Sequence, residues 1–337
     1  MGVLFGLLFI LIASVLQGTF YLPMTYTRKW EWEHTWSIFA GTGMIIFSWI
    51  FILLTVPNIF AVYSQASSKN IFILIIFGCL WGIGGVLNGL AMAKLGMALA
   101  YPIVIGTVAS LGALIPLIVF FPATLLTVKG IVLIAGTIVT ILGIIVCSKA
   151  LVLKQPADDS STQTDISSMT GKLMIAIMAG VMSSFLNIGF AYSAGIVDIA
   201  KGLGASDTFA INAAWAIILT SGGIVNVLYC LYLMITHKNM KQFFGHETLR
   251  NLGLGALMGL MWCGGMYLYG SGAASMGSLG VVVGWVVFMS LVIIVGNLAG
   301  LWRGEWKGAP SQARLRLIQG LIILIIAIII VAVSNSL

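Results

Sequence analysis

The stretch FGCLWGIGGVLNGLAMAKLGMA, residues 77–98, lies within a chain that is apolar over most of its length. It is almost entirely apolar and rich in glycine, and it contains one tryptophan, one asparagine and no acidic residue. A helix that crosses the hydrocarbon core of a bilayer needs about 20 mostly apolar residues, each rising about 1.5 Å. The stretch is long enough for this, so it predicts a membrane-spanning helix with a partly polar, glycine-lined face.

The composition of the whole chain agrees with a membrane protein. Of the 337 residues, 60% are hydrophobic and only 7% are charged, and the mean hydropathy is +1.12. Soluble domains carry about 25% charged residues, so a large soluble core is excluded. The net charge of +7 comes from residues in short connections, where it acts as a topology signal. We expect the lipid bilayer as a partner, and we expect no nucleic-acid partner.

Ten apolar runs bounded by charged or turn residues predict an all-α integral membrane protein with ten transmembrane helices. No Asp, Glu, Lys or Arg lies in the interior of any run. The first run lacks the basic start and short apolar core of a cleaved signal peptide, so we count it as a helix. The runs are 2–23, 36–57, 71–93, 97–121, 129–149, 172–195, 208–236, 250–272, 277–302 and 315–335.

The distribution of basic residues predicts the orientation. Odd-numbered connections hold thirteen Lys and Arg residues, and even-numbered connections hold three. Because basic residues collect on the cytoplasmic side, both termini are expected to be periplasmic. The polar stretch KQPADDSSTQTDISSMTGK predicts a cytoplasmic linker, residues 154–171, between two five-helix halves at 1–153 and 172–337.

Two homologous halves of five helices must be inverted in the membrane, because five crossings are an odd number. Weak internal similarity supports such inverted repeats. Adding 181 to five residue numbers, and 170 to three others, leads to identical or similar residues, with Tyr269 where Asn88 stands. The pairs are Gly78/Gly259, Trp81/Trp262, Gly84/Gly265, Gly89/Gly270, Gly96/Gly277, Ser14/Ser184, Gln17/Asn187 and Phe20/Phe190.

Helical spacing places polar and aromatic residues of several helices on single faces. Trp81 and Asn88 share one face, and Trp262 and Tyr269 share another. Two interpretations remain open: the amides bond neighbouring helices while the glycines permit close packing, or the faces line a cavity. Aromatic faces and amides together suit a sugar. The candidate binding residues are Gln17, Tyr21, Trp81, Asn88, Asn187, Trp262, Tyr269 and Trp285.

The chain resembles the L-rhamnose/proton symporter family of the drug/metabolite transporter superfamily. The similarity lies in FYLP (20–23), KWEWEHTWS (29–37), LWGIGGVLNGLAMAKLGMA (80–98), GLMW (259–262) and GEW (304–306). The resemblance implies uptake of a deoxyhexose, driven by protons, across the bacterial inner membrane. One departure is the apolar ninth helix, LGVVVGWVVFMSL (279–291), where we expect polar and acidic residues in the rhamnose proteins.

Proton coupling usually requires a buried acid or histidine, yet no helix centre contains one. The candidates are therefore near helix ends: Glu33, Asp198 and Asp207. Glu33 lies in a family-like motif. Its alternative role is that of an interfacial acid that pairs with Arg28 or Lys29. The neighbouring residues Trp30, Trp32 and Trp36 are expected to form an interfacial aromatic belt.

The sequence thus predicts a secondary active transporter for a small neutral sugar, L-rhamnose first, working by proton symport and alternating access. The alternative is an exporter of the superfamily, or a transporter of another sugar or hydrophobic metabolite. No HExxH, GxSxG or paired-carboxylate motif points to an enzyme, and no GxxxxGK[ST] loop points to an ATPase. No cofactor, catalytic residue or metal is expected; the partners are a sugar and a proton, and the expected form is a monomer.

Overall fold

The computed structural model describes residues 2–95, 97–154 and 166–334. Within these ranges ten helices are long and apolar enough to cross a membrane, which confirms the predicted all-α membrane fold. They are α1 (Gly2–Thr19), α2 (Trp32–Thr55), α3 (Ser68–Leu95), α4 (Met97–Phe120), α5 (Val128–Lys154), α6 (Ile166–Tyr192), α7 (Trp215–Thr236), α8 (Thr248–Ala274), α9 (Gly280–Trp302) and α10 (Ser311–Ser334).

Several helices run past the apolar limits predicted for them. Helix α2 begins at Trp32 rather than at residue 36, so Glu33 lies in its first turn; its middle, Ala40–Phe47, is π-helical. Helix α6 begins at Ile166, inside the predicted linker. Apolar composition marks the hydrocarbon core, whereas a helix can continue into water. Residues 155–165 of that linker lie outside the described residues, so the division into 1–153, 154–171 and 172–337 stays a prediction.

The extensive helix contacts are unchanged when each helix is exchanged with the one five places away. Helix α1 packs against α8 and α9, as α6 packs against α3 and α4. Likewise α2 packs on α8 as α7 packs on α3, and α4 packs on α5 as α9 packs on α10. The pairs α2–α7, α4–α9 and α5–α10 exchange with themselves. This pattern fits two equivalent halves; their inversion in the membrane stays a prediction.

Glycines permit the closest approaches in both halves, at equivalent positions. A Cβ atom on Gly43 of α2 would lie 2.7 Å from the Cα atom of Gly259 on α8. A Cβ atom on Gly222 of α7 would lie 2.8 Å from the carbonyl oxygen of Gly78 on α3. Gly78 and Gly259 are 181 residues apart, and Gly43 and Gly222 are 179 apart. Backbone meets backbone at both places, so neither contact can accept a side chain without moving a helix.

Gly43→Leu is expected to destabilise the protein by about 1–3 kcal/mol, since the added side chain must push α8 away. Gly41→Leu is the matched control, because a Cβ atom at Gly41 meets nothing within 4 Å. The check is the thermal melting of both variants in detergent. Equal melting temperatures would show that the Gly43–Gly259 contact does not limit packing.

The exchange of halves fails for three pairs of weak contacts: α9 with α5, α9 with α6, and α6 with α7. Helix α9 packs against α5 and α6, but the equivalent pairs, α4 with α10 and α4 with α1, make at most isolated contacts among the described residues. Helices α6 and α9 therefore approach each other somewhat more closely than α1 and α4 do.

Candidate functional site

The equivalent tryptophans of the two halves stack on each other. The ring centroids of Trp81 on α3 and Trp262 on α8 are 5.5 Å apart and the ring planes differ by 15°. Both side chains are buried, and a Cβ atom on Gly222 would collide with the Trp81 ring. Gln17 on α1 joins them, as its Nε2 donates to the carbonyl oxygen of Trp262 at 3.0 Å. Three predicted binding residues thus meet between the halves.

A chain of aromatic rings leads from this pair to Tyr21, two residues beyond the end of α1. Trp262 contacts Phe39 edge-on with centroids 5.9 Å apart, Phe39 lies 4.6 Å from Trp36, and Trp36 stacks on Tyr21 at 5.8 Å. The expected interfacial belt is wrong for Trp36, because its ring is buried and its Nε1 donates to Asn226 at 3.0 Å. The position of Trp36 beside a charged motif suggested that it lies at the membrane surface. Its side chain instead packs against α7.

Asn226 on α7 is a site residue that the sequence analysis missed. Its Nδ2 donates to the carbonyl oxygen of Gly222 at 2.9 Å and to that of Gly82 at 3.4 Å. A Cβ atom on Gly85 of α3 would lie 3.4 Å from the Asn226 Oδ1. An asparagine within an apolar run is costly unless it bonds to another helix, and this signal could have identified it.

Tyr21 and Asn88 lie where polar groups remain available. Tyr21 is 47% exposed although its ring stacks on Trp36. It also interacts electrostatically with Tyr101, near the start of α4. Asn88, one turn beyond Gly85 on α3, has a buried Oδ1 without a hydrogen-bond partner. An exposed ring and an unpaired amide oxygen are groups that a small polar ligand can engage.

The remaining three predicted binding residues form a separate, closed group. The Tyr269 hydroxyl donates to the Asn187 Oδ1 at 2.7 Å, and the Asn187 Nδ2 donates to the carbonyl oxygen of Gly112 at 2.7 Å. Trp285 on α9 contacts Tyr269 edge-on at 5.5 Å and donates from Nε1 to the carbonyl oxygen of Val108 at 3.2 Å. All three side chains are buried. Their polar groups are satisfied within the protein, so this group is closed to a ligand in the present conformation.

Glu33 is buried against residues from the second half of the chain. Its side chain is 6% exposed, and its Oε1 lies 2.8 Å from Nδ1 of His237, whose side chain is 55% exposed. The Nδ2 of Asn239 donates to the same oxygen at 2.7 Å. The alternative pairing with Arg28 or Lys29 is wrong, because these partners come from the connection after α7. Sequence offered no signal for a contact across about 200 residues.

The connection after α1 docks on the connection after α7 and on the first turn of α8. Asn251 receives a hydrogen bond from the Arg28 backbone N–H at 3.2 Å and donates to the Arg28 carbonyl at 2.8 Å. Arg28 also lies 3.9 Å from Glu247, and Trp30 donates from Nε1 to the Gln242 carbonyl at 2.9 Å. The Glu33 carboxylate is thus covered by segments of both halves.

The two aspartates proposed for coupling lie elsewhere. Asp207 is exposed and pairs with Lys201 at 2.8 Å in its own connection; the hydrogen bond from Lys201 lowers the pKa of Asp207 below its ordinary value. Asp198 is exposed on the short helix Ala194–Gly202. Of the three coupling candidates, Glu33 alone is buried and joins both halves.

Comparisons with known proteins show which family the chain matches. The family model described as L-rhamnose-proton symport protein (RhaT) matches residues 1–336. The chain is similar to the L-rhamnose-proton symporter of Yersinia pestis (strain Pestoides F), with 27% identity over 99% of each chain. It is equally similar to the L-rhamnose-proton symporter of Shigella dysenteriae serotype 1 (strain Sd197), with 27% identity over 98% of each chain.

Proposed function

The chain belongs to the L-rhamnose-proton symport family, and on that premise we propose that it takes up L-rhamnose together with a proton by alternating access. The observation that carries the proposal is the match of the family model to residues 1–336, nearly the whole chain. The ten apolar helices agree with a multi-pass membrane transporter. We place it in the bacterial inner membrane, where a proton gradient is available.

The chemistry of Tyr21 and Asn88 supports a sugar site. L-rhamnose has an apolar methyl group and ring face together with several hydroxyl groups. An exposed aromatic ring can cover the apolar face, and an unpaired amide oxygen can accept a bond from a hydroxyl. Tyr21 and Asn88 supply these groups, and the stacked Trp81–Trp262 pair lies at the inner end of the same aromatic chain.

We propose Glu33 as the residue that carries the proton. A coupling group must be shielded in one state and reach water in another. The Glu33 carboxylate is shielded here by the docked connections, while its partner His237 is half exposed. Separation of the two connections would expose Glu33, and protonation of Glu33 would remove one charge of the pair that joins them.

A second candidate is a transporter of a less hydroxylated sugar or another metabolite. Helix α9 favours it, because its first half is apolar and almost wholly buried, and the identity to the named relatives is only 27%. The α9 residues that reach a substrate in another conformation would then offer few hydrogen bonds.

Uptake of labelled sugars into cells that lack their own transporters tests both candidates. The panel contains L-rhamnose, L-fucose, L-mannose and D-glucose, each measured with and without a proton uncoupler. We expect L-rhamnose to accumulate and the uncoupler to abolish accumulation. Uncoupler-sensitive accumulation of another sugar, with none of L-rhamnose, would replace the first candidate by the second. Uptake that is insensitive to the uncoupler would reject proton symport.

Both termini are expected on the periplasmic side, because thirteen basic residues lie in odd-numbered connections and three in even-numbered ones. A membrane-impermeant thiol reagent added to intact spheroplasts should label Ser336→Cys and leave Ser161→Cys unlabelled. Lysis of the spheroplasts should make Ser161→Cys reactive, which controls for burial of that site. The reverse labelling pattern would invert the topology.

A further inference from the structure

Two polar pairs occupy equivalent places in the two halves, and only one of them is joined. Adding 170 to Gln17 gives Asn187, and adding 181 to Asn88 gives Tyr269. The Tyr269 hydroxyl donates to the Asn187 Oδ1 at 2.7 Å; we call these two residues the α9-side pair. Gln17 and Asn88, the α4-side pair, are apart: Gln17 donates to the backbone of Trp262 instead, and the buried Asn88 Oδ1 has no partner.

The state of each pair matches the packing of the helix beside it. The α9-side pair lies where α9 packs against α6, and Asn187 also donates to the carbonyl oxygen of Val281 on α9 at 3.4 Å. The α4-side pair lies where α4 and α1 make at most isolated contacts among the described residues. Near that looser place Tyr21 keeps a half-exposed ring. The joined pair thus lies on the more closely packed side, and the separated pair lies on the less closely packed side.

We propose that the two pairs form alternately. The α9-side pair holds the present conformation closed between α6 and α9. In the opposite conformation that pair separates, α4 closes on α1, and Gln17 joins Asn88, whose oxygen then gains the partner that it lacks here. The proposal rests on the proposed transport function, because only a transporter needs both conformations.

The chemistry explains why neither conformation would dominate. A buried polar atom without a partner is unfavourable, and the Asn88 Oδ1 is such an atom in the present state. Separation of the α9-side pair would leave Asn187 and Tyr269 with the same disadvantage in the opposite state. Each state therefore gains one buried hydrogen bond and forgoes the equivalent one, which keeps the two states close in free energy, as alternation requires. These four residues are positioning residues in this role.

Labelling of a reporter thiol tests the proposal. The full-length protein carries Tyr21→Cys in a background without the four native cysteines, in membrane vesicles open to a polar maleimide on both sides. Tyr269→Phe removes the hydroxyl of the α9-side pair, so the present conformation should lose population and the labelling rate should fall by about threefold. Asn88→Leu disables the opposite conformation, so the labelling rate should not fall. A rise with Tyr269→Phe or a fall with Asn88→Leu overturns the proposal.

Matched controls separate the proposed role from general loosening. Tyr267→Phe removes a buried hydroxyl from the same helix, where it donates to the Ser48 carbonyl at 2.6 Å. Asn297→Leu removes a half-buried amide that bonds within its own helix. Both controls should label at the parent rate. If Tyr267→Phe lowers labelling as much as Tyr269→Phe, the α9-side pair has no special role and the proposal fails.

A second measurement tests the α4-side pair directly. Gln17→Cys combined with Asn88→Cys is treated with a short bifunctional methanethiosulfonate, and the bridge is detected by mass after proteolysis. We expect a bridge whose yield rises when Tyr269→Phe is added. Its absence in both backgrounds contradicts the proposal. None of these readouts uses L-rhamnose, so a chain that fails to take up the sugar yet switches as expected would reject the substrate and leave the alternation standing.

Discussion

Glu33→Gln is expected to abolish sugar accumulation against a gradient while sugar exchange between equal pools continues. One charge that moves through 100 mV supplies about 2.3 kcal/mol. Since about 1.4 kcal/mol corresponds to a factor of ten, one proton per sugar supports about fiftyfold accumulation. The variant should lose all of this.

The geometry explains why exchange should survive. Glutamine has nearly the shape of glutamate, and its carbonyl oxygen can still accept the hydrogen bond that Asn239 donates at 2.7 Å. It cannot take up a proton or pair with a charged His237. The two connections should therefore still dock and separate, but these movements should no longer depend on the proton gradient.

Glu31→Gln is the matched control, because Glu31 lies two residues away and is exposed. Labelled-sugar uptake and counterflow in proteoliposomes measure accumulation and exchange separately. If Glu33→Gln still concentrates sugar and the uncoupler still prevents it, Glu33 does not carry the proton. Asp198 and Asp207 are then the next residues to replace.

Trp81→Ala is expected to raise the Kd for the transported sugar by about tenfold or more. Aromatic stacking contributes about 0.5–1.5 kcal/mol beyond the burial of apolar area, and loss of the indole also removes one side of the stacked Trp81–Trp262 pair. The truncation of a buried tryptophan also costs about 3–5 kcal/mol of stability. Binding and folding must therefore be measured on the same sample.

Two further variants separate these effects. Trp81→Phe keeps an aromatic face beside Trp262 and should recover most of the binding. Trp302→Ala removes a tryptophan that is 86% exposed at the end of α9, and it should change neither binding nor melting. Sugar binding by isothermal titration and melting in detergent are the measurements. A folded Trp81→Ala protein that binds sugar normally would show that the tryptophan pair only packs the two halves together.

The sequence predicts much of the fold because apolar runs and basic connections are local signals. It also predicts that Trp81 and Trp262 are equivalent, and the structure brings them into contact. It does not predict that the candidate binding residues divide into two groups. Trp262 and Tyr269 share one helical face, but seven residues separate them by about 10 Å along the axis. Trp262 therefore contacts Trp81, whereas Tyr269 contacts Asn187 and Trp285.

Contacts between distant connections and helices are the part that sequence patterns miss. The partners of Glu33 are about 200 residues away, and no periodicity links an acid at the start of one helix to a histidine just after another. Asn226 was missed for a related reason, because its role depends on hydrogen bonds with Trp36 and Gly82 on two other helices. A single chain shows which residues are costly in a membrane, whereas their partners depend on tertiary packing.

The docking of the connections after α1 and α7 has a consequence for the biogenesis of the protein. Glu33 and His237 are separated by 204 residues, and a ribosome that adds about 5–20 residues per second needs about 10–40 s to cover that distance. During this interval helices α3 to α7 are synthesised while the Glu33 carboxylate still awaits its histidine. The nascent first half therefore depends on water and lipid headgroups to solvate the carboxylate that the second half later covers.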